Sequence, residues 1–234
     1  MNLIQTLWLK WQLKQGLKYC PEAVHAWLVA LPDLHAPLSE VSLLALDFET
    51  TGLNPKQHQI ISMGWVPVSQ GAVQVGKGEH HLIQLSEAEQ LLTEESIKIH
   101  GLTHQALAAG ESSDEVLNAL WRALRGDGEW SRVPLVHFAR IEKGFLTQAC
   151  RQQYGCVPPL PMVDTFDLAL RQMPPQTAVD AGKLRLNTLR QQYHLPEAPP
   201  HHALEDAIAT AELFLAQIKH RPDAGRLLLE DVLV

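Results

Sequence analysis

The sequence predicts an α/β protein, one sheet with helices packed around it. Two observations carry the prediction. Three β-type runs crowd the segment from Ser42 to Leu85, and helical periodicities dominate from Ser112 onward, with one short apolar strand between them. The resulting order, β-β-β-α-β-α-α-α, is that of a sheet flanked by helices.

The elements follow in turn. Residues 1 to about 38 form a separate helical layer in this reading. Leu3, Leu7, Trp8, Trp11 and Leu17 recur at roughly helical spacing, and "PEAVHAWLVALPDL" gives a second short helix that starts near Pro21 and stops at Pro32. This layer reads as a hairpin packed on the main domain, or as a docking surface for a protein partner. A strand is expected from Ser42 to Phe48, then "QIISMGWVPV" and "AVQVGKGEHHLIQL" complete an antiparallel meander. "SSDEVLNALWRALRG" is an amphipathic helix capped by Ser112 or Ser113 and closed near Gly126. "RVPLVHF" is a short buried strand, and "RIEKGFLTQACRQQYG" a helix ended by Gly155. "DTFDLALRQM", "KLRLNTLRQQYHL" and "HHALEDAIATAELFLAQIKH" are three more helices. The domain reading is an extension over 1–38, a main domain over 39–220 and a helical tail over 221–234.

A chain of 234 residues buries one sizeable core. No run approaches the roughly 18 to 20 apolar residues that span a bilayer, and the N-terminus lacks the features of a signal peptide. Cys20, Cys150 and Cys156 show no C-x-x-C spacing, so neither a disulfide framework nor a zinc site is indicated and a reducing cytoplasm is expected. The formal net charge of -7 argues against coating nucleic acid by bulk electrostatics. It leaves room for an enzyme that grips one strand end through bound cations, because a site for divalent metals must itself be acidic.

The chemistry concentrates in "LLALDFETTGLNP". Residues i and i+2 of a strand share a face, so Asp47 and Glu49 project together while Phe48 points into the opposite layer. Two such carboxylates repel unless a cation lies between them, and magnesium favours one or two carboxylates plus substrate phosphate. Thr50, Thr51 and Gly52 then supply backbone donors and small side chains. Asp206 follows His201 by five residues, which on a continuous helix is about 500°, leaving the two some 140° apart. Both face one cleft only if His201 sits in the loop that Pro199 and Pro200 predict. Spacing alone leaves His201 and His202 open as the proton acceptor. Glu142, near the start of a helix after a buried strand, is a weak candidate by itself.

Taken together, these pieces resemble the DEDDh 3'-5' exonucleases, the family of the proofreading epsilon subunit of bacterial DNA polymerase III. "LDFETTGLNP" is similar to the first motif, D-x-E-T-T-G. "IHGLTHQAL" resembles I-H-G-I-T, "VDTFDLAL" resembles a D-T-L stretch, and "HHALEDAIATAELF" resembles H-x-A-x-x-D-A, whose spacing selects His201 with Asp206. The likeness runs from about Ser42 to Gln217. The second motif departs from it. Where the family commonly shows H-N-A-x-F-D, this chain has "HFARIE", which puts Glu142 at the usual aspartate and Phe138 at the usual asparagine.

The resemblance implies a ribonuclease H-like fold with a mixed five-stranded sheet. It also implies two divalent ions, magnesium or manganese, held by Asp47, Glu49, Glu142 and Asp206, with Asp47 bridging both and Glu142 acting through water. His201 would deprotonate the attacking water. Thr50, Thr51, Gly52 and His100 would seat the terminal nucleotide. The implied activity is removal of nucleoside 5'-monophosphates from DNA with single-stranded or frayed ends, in proofreading or repair. The alternatives are an RNA or oligoribonucleotide exonuclease, and a catalytically weak binding module that docks through its N-terminal helices. Homodimerisation is common in relatives, and no residue demonstrates it here.

Overall fold

The sheet is built outward from a strand that is apolar on both faces. The computed structural model describes residues 20–85, 97, 100–174, 180–199 and 201–234, and the helix expected over Leu3 to Leu17 lies outside them. Strand β1 (Leu43–Thr50) alternates sides. Leu44, Leu46 and Phe48 join one core cluster, and Leu43 and Ala45 join the other. A strand covered on both sides reads as an unbroken apolar run, and the run stops at Asp47 because there the covering layer gives way to a cleft.

Strand β2 (Ile60–Ser69) pairs antiparallel with β1, setting Asp47 opposite Gly64 and Glu49 opposite Ser62. The register shifts between Glu49 and Thr50, so the chain turns away just past the second acid. The third meander strand is not continuous. It divides into β3 (Ala72–Val73) and β4 (Glu79–Leu82) around a 3₁₀ turn at Val75–Lys77, and both halves pair with β2. Gly76 and Gly78 in and after that turn weaken a strand locally, which is why the run breaks there. On the other side of β1, β5 (Val133–Val136) and then β6 (Val163–Asp164) pair in parallel. The sheet order is β3-β2-β1-β5-β6, with β4 sharing the β3 edge, so six strands occupy the five expected positions.

Helices cover both faces. Helix α1 (Glu22–Val29) and, further along, the Ser112-capped α3 (Ser113–Arg125) pack Trp27 and Trp121 together on the Leu44 face, with ring centroids 5.4 Å apart. The short α2 (His104–Ala108), capped by Thr103, lies between β4 and α3 in the chain. Helix α4 (Arg140–Tyr154) ends at Gly155 in the left-handed conformation. Helices α5 (Thr165–Gln172) and α6 (Leu186–Gln192) form a smaller cluster with α7 (Ala203–Lys219). Helix α7 covers the Leu43 face, joined by α8 (Leu229–Val232). The three cysteines are free thiols. The sulfurs of Cys20 and Cys156 lie 3.6 Å apart, which joins the entry of α1 to the end of α4. Among the described residues no helix is long and apolar enough to cross a membrane.

Candidate active site

Three carboxylates from two distant segments meet at the C-terminal end of β1. Asp47 and Glu49 come from the strand, and Asp206 from the first turn of α7. One oxygen of each lies within 4.8 Å of the others. Gly64 makes this convergence possible. A Cβ there would stand 2.2 Å from the Leu204 nitrogen and 2.3 Å from the Ala203 carbonyl carbon. The start of α7 therefore rests on the β2 backbone directly opposite Asp47. A glycine inside a strand signals such a close approach, so "ISMGWV" carried a cue to this residue that the motif reading passed over.

The electrostatics match an acidic cleft that wants a cation. Burial pushes Asp47 well above the ordinary carboxylate range, and Glu142, Asp206 and Glu49 push it further. Burial and then Asp206 raise Glu49 to about 7. Burial raises Asp206 too, opposed by the backbone N–H groups and the charges of His201 and His202. Glu142 lies in the first turn of α4 at 3% exposure. Its Oε2 finds no hydrogen-bond partner among the described residues, and burial with Asp164 nearby pushes its pKa well up. An unpaired buried carboxylate oxygen is costly. The Glu142 carboxylate stands outside the three-acid group yet close enough to be first among the charges that act on Asp47.

The histidine doublet is divided by its neighbours. His202 is the N-cap of α7, and its ring packs on His80 at 4.3 Å, whose Nε2 lies 2.7 Å from Ser62 Oγ. His201 precedes the helix with φ 69°, and its N–H donates to Asp206 Oδ2 at 2.7 Å. It thus occupies the loop that the spacing demanded, solvent-exposed and near His100. His100 is buried. Its Nδ1 accepts from Leu102 N at 3.0 Å, and its Nε2 has no partner among the described residues.

The loop after β1 is held by its own side chains. Thr51 Oγ1 accepts from Gln59 N at 3.0 Å, and Thr50 Oγ1 donates to the Gly52 carbonyl at 2.9 Å. A Cβ on Gly52 would fall 2.6 Å from the His58 ring, so packing of that ring is one reason for glycine there. Asp164 opens the D-T-L-like stretch noted in the sequence, where it was given no role. It is buried and accepts from Phe138 N at 2.8 Å, Ala139 N at 2.9 Å and Phe166 N at 2.9 Å. It ties the loop that launches α4, and hence Glu142, to the end of β6. Its position just before a helical run was the available cue.

The exonuclease family (RNase_T) matches residues 44–214, and the chain belongs to that family. Its mixed sheet with flanking helices is the ribonuclease H-like fold of its structural neighbours, and the matched span contains Asp47, Glu49, Glu142, His201 and Asp206. DNA polymerase III PolC-type of Halalkalibacterium halodurans is 27% identical over 191 residues, which is 82% of this chain and 12% of that protein. The Thermotoga maritima PolC-type protein is 27% identical over 186 residues, 80% of this chain and 12% of the other. The chain thus spans about one-eighth of the length of these relatives. In structure it resembles the nuclease domain of 3'hExo bound to rAMP, with a TM-score of 0.65 at 18% identity over 82% of this chain and 97% of that one. It also resembles the E. coli ExoI–ssDNA complex, with a TM-score of 0.61 at 16% identity over 79% of this chain and 42% of that one.

Proposed function

We propose that the chain is a metal-dependent 3'-5' exonuclease that removes nucleoside 5'-monophosphates from DNA, with single-stranded or frayed ends favoured, in proofreading or repair in the cytoplasm. The observation that carries the reading is the convergence of Asp47, Glu49 and Asp206, with a buried Glu142 beside them whose Oε2 has no partner among the described residues. These residues fit hard divalent cations, since all four are oxygen donors and burial and mutual repulsion disfavour their bare charges. Asp47, Glu49, Asp206 and Glu142 would hold two ions, magnesium or manganese. Bound there, the ions supply positive charge to the attacking and leaving oxygens of the phosphodiester.

The chain's own groups do the rest. His201 takes the proton of the attacking water on its ring, and the bond from its backbone N–H to Asp206 holds the loop that carries it. Asp164 sets the loop before α4 and so the depth at which Glu142 enters the cleft. Thr50, Thr51 and Gly52, together with His100, seat the terminal nucleotide, with the Thr51 N–H itself held by the Gln59 carbonyl at 3.0 Å. The His100 Nε2, buried and without a partner among the described residues, suits a substrate oxygen. Kinship with PolC-type proteins, whose name joins them to DNA polymerase III, supports DNA over RNA.

The test is a time course on 3'-labelled and 5'-labelled single-stranded DNA and RNA, with magnesium and manganese in turn. Stepwise shortening from the 3' end of DNA, abolished by chelation, is expected. Absence of cleavage on both polymers would overturn the reading, and faster cleavage of RNA would overturn the choice of DNA.

A further inference from the structure

Phe138 combines two features that normally exclude each other. Its φ is 75°, in the left-handed region that a bulky side chain rarely enters. Its ring nevertheless stands 38% exposed, so burial does not compensate the conformation. The strain is imposed from outside. Asp164 takes the Phe138 and Ala139 N–H groups, and the Phe138 carbonyl accepts from Ile141 N at 3.0 Å. One side of the ring rests against Phe166, with centroids 4.9 Å apart and planes tilted by 59°. Asparagine, whose short polar side chain tolerates this backbone, would satisfy a purely structural demand better than phenylalanine does. Backbone outliers of this kind gather at ligand-binding sites.

The location gives the ring a ligand. The Phe138 and Ala139 N–H groups are bonded to Asp164, whose charge acts on Glu142, and Glu142 is in turn first among the charges that act on Asp47. Phe138 therefore lies beside the acidic cleft, four residues before Glu142. Polynucleotide strands present flat bases, and an exposed aromatic face binds an unpaired base with little regard to its identity. We propose that Phe138 is a stacking platform for an unpaired nucleobase of the substrate strand. The inference rests on the exonuclease reading for the nature of its ligand. It assigns Phe138 to strand binding and leaves bond cleavage to the carboxylates.

The test measures binding of a 5'-labelled single-stranded oligothymidylate by fluorescence anisotropy, in an Asp47→Asn background so that no turnover is required. Phe138→Asn should weaken binding about ten-fold, and Phe138→Trp should restore it. Because Phe138→Asn relieves the backbone, its Tm should hold or rise by about 2–4 °C. In the Asp47-intact protein the same substitution should raise KM about ten-fold and leave kcat within about two-fold. Unchanged binding by Phe138→Asn, or a lowered Tm with unchanged binding, would overturn the proposal and leave the ring a packing residue against Phe166. Nuclease inactivity of the intact protein would sink the exonuclease reading instead, since the binding arm is read without cleavage.

Discussion

At the residue scale the site is a set of carboxylates that are costly to keep without a cation. Asp47 is the most heavily loaded, with burial and three other acids acting on it. Asp47→Asn is expected to lower exonuclease activity at least about a thousand-fold, equivalent to about 4 kcal/mol of barrier. The same variant should melt higher than the parent protein in chelator, because it removes a repelling charge. Glu49 adds a pH dependence whose sign can be worked out. Its pKa is raised from 4.5 to about 7 in the fold, so between those values the folded state holds a proton that the unfolded chain has lost. Metal-free stability therefore falls as pH rises through that window, by about 3 kcal/mol for this group. Melts in chelator should show Glu49→Gln matching the parent near pH 4.5 and exceeding it at pH 8. A parent protein that gains stability from pH 5 to 8 relative to Glu49→Gln would contradict this. The pair itself was legible, since alternation along a strand puts i and i+2 on one face. The orphaned oxygen of Glu142 and the three bonds to Asp164 were not, because sequence shows neither burial nor which backbone N–H groups lack partners.

At the scale of elements, one contact decides whether the acids meet. The N-terminal turn of α7 lies on β2 at Gly64, with no room for a Cβ. Gly64→Ala must lift the helix start, and with it Asp206 and the His201 loop, away from Asp47. A displacement of about 1 Å at reacting groups lowers rate about a hundred-fold, so Gly64→Ala should lose activity on that scale along with thermal stability. Gly76→Ala, where nothing lies within 4 Å of the added carbon, should change neither, as paired activity assays and melts would show. The helices were readable because they carry their own punctuation, as in the Ser112–Glu115 capping box and the left-handed glycines at 126 and 155. The broken third strand and the two-residue β6 were not readable. Val163–Asp164 is too short to show a period, and its strand conformation comes from the parallel edge of β5 on one side and a bridge to Leu233 on the other.

At the scale of the molecule, the C-terminal segment is bound into the same apolar cluster that supports the site. Leu227, Leu229, Val232 and Leu233 are each at most 4% exposed and pack with Leu43, Ala45 and α7 residues in one core. The backbone is tied in as well. Val234 N donates to the Met162 carbonyl at 3.0 Å, and Arg171 donates to the carbonyls of Asp231 and Leu233, each at 2.9 Å. Met162 immediately precedes β6, whose Asp164 sets the Phe138 loop. The tail thus braces the strand whose Asp164 holds the loop ahead of Glu142. Replacing one buried leucine by alanine costs about 2–5 kcal/mol, while whole domains are stable by about 5–15 kcal/mol. Deleting residues 227–234 removes three such leucines and a buried valine and should leave a chain with no cooperative melt by circular dichroism. Leu229→Ala is the graded form of the same test. It should lower Tm by roughly 5–15 °C while preserving kcat at temperatures where the variant is folded. A truncated protein that melts cooperatively near the parent Tm would show that the core closes without this segment, and the bracing of β6 would then have to come from Thr165, whose hydroxyl donates to the Val136 carbonyl of β5, and from Gln217, whose amide donates to the Thr165 carbonyl just past β6.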